Sequence, residues 1–138
     1  MTQLILHLIG DYITQSQWMA ENKTKRFWPA WAHAIAYSLP FLLIGSEPAW
    51  LVILWSHFLI DRYSLAKYLV YAKNRILQPP PYDYEQPSSF KWHERWKWSN
   101  CSTTGYPSDV PPWLSVWLLI AADNALHLAI NYAALRWL

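Results

Sequence analysis

The sequence predicts an all-α fold: four helices bundled across a membrane, with a long irregular loop between the third and fourth. Three observations predict it. Of 138 residues, 54% are hydrophobic and 14% charged, a charged share roughly half that of a soluble domain. Eleven Trp and nine Tyr hold the mean hydropathy near zero, and side chains with an apolar body and a polar tip suit bilayer interfaces. Basic residues also gather in alternate inter-helix segments, the layout of a multi-pass membrane chain.

The whole chain, 1–138, is expected to form one integral membrane domain with helices over about 2–19, 29–45, 49–73 and 113–138. The first is apolar but interrupted by His7 and Asp11, with no basic segment ahead of it, which is not the pattern of a cleavable signal peptide. The second opens on Pro29, suited to a first helical turn. Ser46-Glu47-Pro48 precedes the third and Pro111-Pro112 the fourth. The interfacial loop, about 78–112, begins with three prolines and contains Lys91-Trp92-His93-Glu94-Arg95-Trp96-Lys97-Trp98, an aromatic and basic run suited to an anionic membrane surface.

Lys23, Lys25 and Arg26 lie between helices one and two, and Lys73, Arg75, Lys91, Arg95 and Lys97 between three and four. Glu47 alone is charged between two and three, and Arg136 stands near the C-terminus. The positive-inside rule reads this as four spans with both termini outside the cytoplasm. The competing soluble bundle needs helices that are apolar around most of their circumference. A net charge of +2 does not suggest nucleic acid, and the single Cys101 supports no disulfide framework.

The polar residues within the helices are patterned. His7 precedes Asp11, His57 precedes Asp61 and Asp123 precedes His127, each by four positions, which puts each pair on one helix face. Chance placement of five His and five Asp would give about 0.4 such pairs; there are three, and the remaining helix adds His33. At 1.5 Å per residue, His7, Asp11, His57 and His127 fall roughly 8–17 Å from the outer helix ends, and His33, Asp61 and Asp123 roughly 18–23 Å. Seven ionisable side chains thus converge on similar depths.

Such groups are costly within a bilayer unless they face inward and pair with each other or with a cation. Imidazole with carboxylate suits zinc, with manganese or iron as alternatives. His7, Asp11, His33, His57, Asp61, Asp123 and His127 are therefore the candidate ligands of a divalent metal. Seven exceed one tetrahedral shell, so either two metals share the site or some Asp orient ligating His. The competing reading is a set of buried His–Asp hydrogen bonds that fix helix packing. Asn124 and Asn131 flank His127, and Gln15, Tyr37 and Tyr68 suit the same interior, with packing their ordinary role.

The run from His7-Leu8-Ile9-Gly10-Asp11 to Met19-Ala20, with His33-Ala34, His57-Phe58-Leu59-Ile60-Asp61 and Asp123-Asn124-Ala125-Leu126-His127, resembles a family of small multi-pass membrane proteins of bacteria and phages, a domain of unknown function. The resemblance covers all four helices and implies a bacterial inner-membrane location. Asp123-Asn124 departs from the family's Asp-Gln. A looser likeness is to bacterial membrane-bound metal-dependent hydrolases, an analogy only.

Three functions fit these residues. The first is a metal-dependent hydrolase acting on a lipid or other membrane-embedded ester, with Asp61 or Asp11 as the catalytic base. The second is a non-enzymatic metal or proton conduit. The third is a membrane interaction protein in which the His/Asp cluster is structural. The expected partners are the bilayer and a lipid substrate, with no nucleic acid.

Overall fold

The computed structural model describes residues 1–77 and 111–138; the greater part of the expected 78–112 loop, including the Lys91–Trp98 run, lies outside them. The described residues contain helices and turns with no strand. They form α1 (Thr2–Leu8), a π-helical turn (Ile9–Ile13), α2 (Gln17–Asn22), α3 (Phe27–Ser38), a 3-10 turn (Leu39–Leu43), α4 (Glu47–Tyr63), α5 (Leu65–Leu77) and α6 (Pro112–Trp137).

The expected helix boundaries are subdivided, each for a local reason. The segment expected as one helix over 2–19 is broken after the π turn, and Ser16 restarts it in an extended conformation, its hydroxyl accepting from the Met19 N–H at 3.3 Å. The segment expected over 29–45 starts two residues earlier and tightens into the 3-10 turn at Pro40, which has no N–H to continue the α ladder. The segment expected over 49–73 splits at Ser64, which has left-handed backbone angles (φ 49°, ψ 50°) and caps α4 through its N–H to Asp61 O and Ile60 O. Ser46 caps the start of α4 by accepting from Ala49 N–H at 3.3 Å.

Two compact units divide the chain, Met1–Leu65 with Asn124–Leu138, and Ala66–Asp123. In the second, α5 buries Ala66, Val70, Tyr71 and Asn74, a spacing that forms one helix face. In the first, the buried face of α3 carries Ala30, His33, Ala34, Tyr37 and Ser38, that of α4 carries Ala49, Ile53, Leu54, His57, Phe58, Ile60 and Asp61, and that of α6 carries His127, Asn131 and Ala134. Two apolar clusters hold these faces together. One joins Tyr37, Phe41, Ala49, Ile53 and Ala134, and the other joins Ala30, Ala34, Leu54 and Phe58.

Beside these apolar clusters the unit buries polar groups and exposes large apolar ones, unlike an ordinary soluble domain. Four imidazoles are at most 1% exposed, while Ile5, Trp28, Leu43, Leu51, Trp55 and Leu59 are 42–84% exposed. Among the described residues, α6 is the helix long and apolar enough to cross a membrane. The 17 residues of α4 extend about 25 Å, short of a hydrocarbon core of about 30 Å. The four full-length spans expected from the sequence are therefore not present as four such helices.

Candidate metal centre

The five donors reach the interior of the first unit from four elements. Asp11 stands in the π turn, where Thr14 donates its backbone N–H to Ile9 O at 3.0 Å and its hydroxyl to Gly10 O at 2.9 Å. The wider turn re-aims its side chains, which is why such turns recur at functional sites. His33 comes from α3, His57 and Asp61 from one face of α4, and His127 from α6.

Two donor groups result, Asp11 with His33 and His57, and His57 with Asp61 and His127. In the first, His33 Nε2 is 3.0 Å from His57 Nε2, and Asp11 Oδ1 is 3.4 and 3.5 Å from those two nitrogens. A tetrahedron with metal–ligand bonds of about 2.0–2.1 Å has edges of about 3.3–3.4 Å, so these three atoms approximate one of its faces. In the second, Asp61 Oδ2 lies 3.2 Å from His57 Nε2, Asp61 Oδ1 lies 3.5 Å from His127 Nε2, and the Nδ1 atoms of His57 and His127 are 3.2 Å apart. Asp61 Oδ2 also lies 3.1 Å from His33 Nε2. His57 is thus common to both groups.

Proton accounting leaves room for a cation among these atoms. A neutral imidazole has one N–H and one bare nitrogen, and each nitrogen–nitrogen contact holds at most one proton. Asp11 Oδ1 is buried with no hydrogen-bond partner among the described residues, and a buried polar atom in that state marks a place for water or an ion. Two carboxylates against the single Lys23 ammonium leave one negative charge among these side chains when the imidazoles are neutral.

Lys23 is the residue that sequence reasoning placed elsewhere. Expected as a loop charge, it extends its ammonium to Asp61 Oδ2 and Gln15 Oε1, both at 2.9 Å, and to within 3.4 Å of His33 Nε2. Its turn is fixed by Arg62, which donates to Thr24 O at 2.6 Å. Side-chain exposure rises from 0–1% at His33, His57 and His127 to 5% at Asp61, 11% at Asp11 and 20% at Lys23, so the cluster is most open to solvent on the Lys23 side.

His7 belongs to neither donor group. Its Nδ1 is 2.8 Å from the Tyr37 hydroxyl and its Nε2 is 2.7 Å from Asn124 Oδ1. With Asn131 Nδ2 donating to Tyr37 at 2.6 Å and Asn124 Nδ2 donating to Tyr12 at 2.9 Å, the donors run Asn131, Tyr37, His7, Asn124, Tyr12. That sequence assigns His7 its proton on Nε2. His7 Nδ1 also lies 3.6 Å from Asp11 Oδ2. Tyr37 is the hub: its ring stacks on His57 with centroids 3.6 Å apart. Asp123 is likewise in neither group, and Asp61 Oδ1 lies 3.5 Å from His127 Nε2.

The family model for a protein of unknown function (DUF3307) matches residues 1–82, which include Asp11, Lys23, His33, His57 and Asp61 but not His127. No curated protein and no solved structure matches the chain.

Proposed function

We propose, for a chain that belongs to the DUF3307 family of proteins of unknown function, that it is a membrane-embedded protein holding a divalent cation, zinc before manganese or iron, and that it hydrolyses an ester carried by a lipid. The observation that carries this reading is the triangular face of Asp11 Oδ1, His33 Nε2 and His57 Nε2. Three protein ligands with a further position left over are the mark of a catalytic rather than a structural zinc site.

The membrane half of the reading rests on the exposed apolar side chains around a buried His/Asp cluster and on the apolar length of α6. A multi-pass chain in the bacterial inner membrane, with both termini outside the cytoplasm, accords with the basic turn at Lys25 and Arg26.

When bound, the metal supplies polarisation of the ester and a bound water with a pKa near 7. Asp61, beside the triangular face and held by Lys23, would accept a proton from the attacking water and return it to the oxygen that leaves when the ester bond breaks. Asp11 and the two imidazoles hold position, while the surrounding helices keep bulk water out. His127 provides a further nitrogen on Asp61's other side.

A second reading draws on the contiguous imidazoles. His33, His57 and His127 touch through nitrogens at 3.0 and 3.2 Å, a series along which a proton can pass.

Elemental analysis of protein purified in detergent tests the metal. About one metal per chain is expected; a ratio below about 0.2 that zinc or manganese does not restore overturns it. Proton flux into liposomes without lipid hydrolysis selects the conduit.

A further inference from the structure

We propose that Lys23 and the basic turn that carries it form a subsite for a phosphoryl oxyanion, placed against the Asp11–His33–His57 face. The inference rests on the metal reading above and names the substrate class of that site: a phosphate ester.

The donor accounting at Lys23 leads to it. An ammonium has three N–H groups. Two go to Asp61 Oδ2 and Gln15 Oε1 at 2.9 Å. The third direction is toward His33 Nε2, at 3.4 Å. Were a metal held on the triangular face, the His33 Nε2 lone pair would be taken and that N–H would be left for an oxygen of a ligand, so an anion there would be within reach of both the cation and the ammonium.

Charge points the same way. Asp11, Asp61 and Lys23 sum to one negative charge, and a divalent ion converts the set to one positive charge. A neutral ester has no use for that surplus, whereas a phosphoryl group neutralises it.

The approach is also cationic. From Gln17 to Arg26 the chain carries Lys23, Lys25 and Arg26 against one acid, Glu21, which already accepts from Gln17 at 2.8 Å. Lys25 and Arg26 are exposed, and Arg62 braces the turn through Thr24. Lys23 is the most exposed member of the site, so this turn is what an incoming ligand meets first.

Calorimetric titration of the full chain in detergent, with and without zinc, tests this with two probes, inorganic phosphate and dihexanoyl phosphatidic acid, and dihexanoyl phosphatidylcholine as the control for chain binding. Metal content is measured on each sample. Zinc-loaded wild type is expected to bind a phosphate probe, Lys23→Gln to bind it about tenfold more weakly, and Lys23→Arg to stay within about threefold, the scale of one charge-assisted hydrogen bond. Equal binding of both phosphate probes assigns free phosphate; binding of phosphatidic acid alone, above the phosphatidylcholine control, assigns a lipid headgroup.

If zinc is not retained but phosphate still binds in a Lys23-dependent way, the metal reading fails and the subsite stands. If neither phosphate probe binds above the control, or if Lys23→Gln binds as wild type does, the subsite is overturned whatever the metal content.

Discussion

Tyr37 lies flat on His57, ring centroids 3.6 Å apart and planes within 10°, while its hydroxyl lies 2.8 Å from His7 Nδ1. One side chain thus stacks on the imidazole shared by both donor groups and links Asn131 to a hydrogen-bond series that reaches Tyr12. Tyr37→Phe keeps the ring but strips partners from His7 and Asn131. It is expected to cost about 1–2 kcal/mol and to leave metal content unchanged. Thermal melting and elemental analysis of the same sample check both halves.

Gly10 marks how closely the π turn approaches that ring. A Cβ at Gly10 would stand 2.5 Å from Tyr37 Cδ2, within a rigid aromatic that is itself pinned on His57. Gly10→Ala should destabilise by about 1–3 kcal/mol, as overpacking does. At Gly45 the nearest atom is the tip of the Leu135 side chain at 2.8 Å, which can turn aside. A melting-temperature loss at Gly45→Ala equal to that at Gly10→Ala would contradict the argument.

His57→Ala is expected to abolish metal retention, because both donor groups use this residue. Asp123→Asn should retain wild-type metal content, since Asp123 belongs to neither group. The contrast is read as metal per chain after dialysis, and loss of metal in both variants would refute the assignment.

Ser64 is a non-glycine residue in the left-handed region, at φ 49°. Ser64→Gly should relieve that strain and raise stability by about 0.5–1 kcal/mol. The check is a higher melting temperature with metal content unaltered.

Much of the site was legible from four-residue spacing and depth alone. Asp11, His33, His57, Asp61 and His127 stand together, as regular helices that expose one face to a common interior require. The spacing was less informative where the helix departs from regularity or where reach exceeds periodicity. The π turn alters the facing at Asp11, and Ser64 ends α4 in a conformation that serine seldom takes. Lys23 enters on a four-carbon stem that no periodic pattern reveals, and its charge counted as a loop marker. His127 turns to Asp61 because a carboxylate on a neighbouring helix lies within 3.5 Å, a relationship that sequence separation conceals.

The two donor groups also differ in when they can exist during synthesis. Asp11, His33 and His57 are all translated before α4 is complete, whereas His127 follows 66 residues after Asp61. At about 5–20 residues per second, that gap lasts several seconds. All three donors of the triangular face are therefore synthesised well before α6, so a cation held by that face would not have to wait for the last helix.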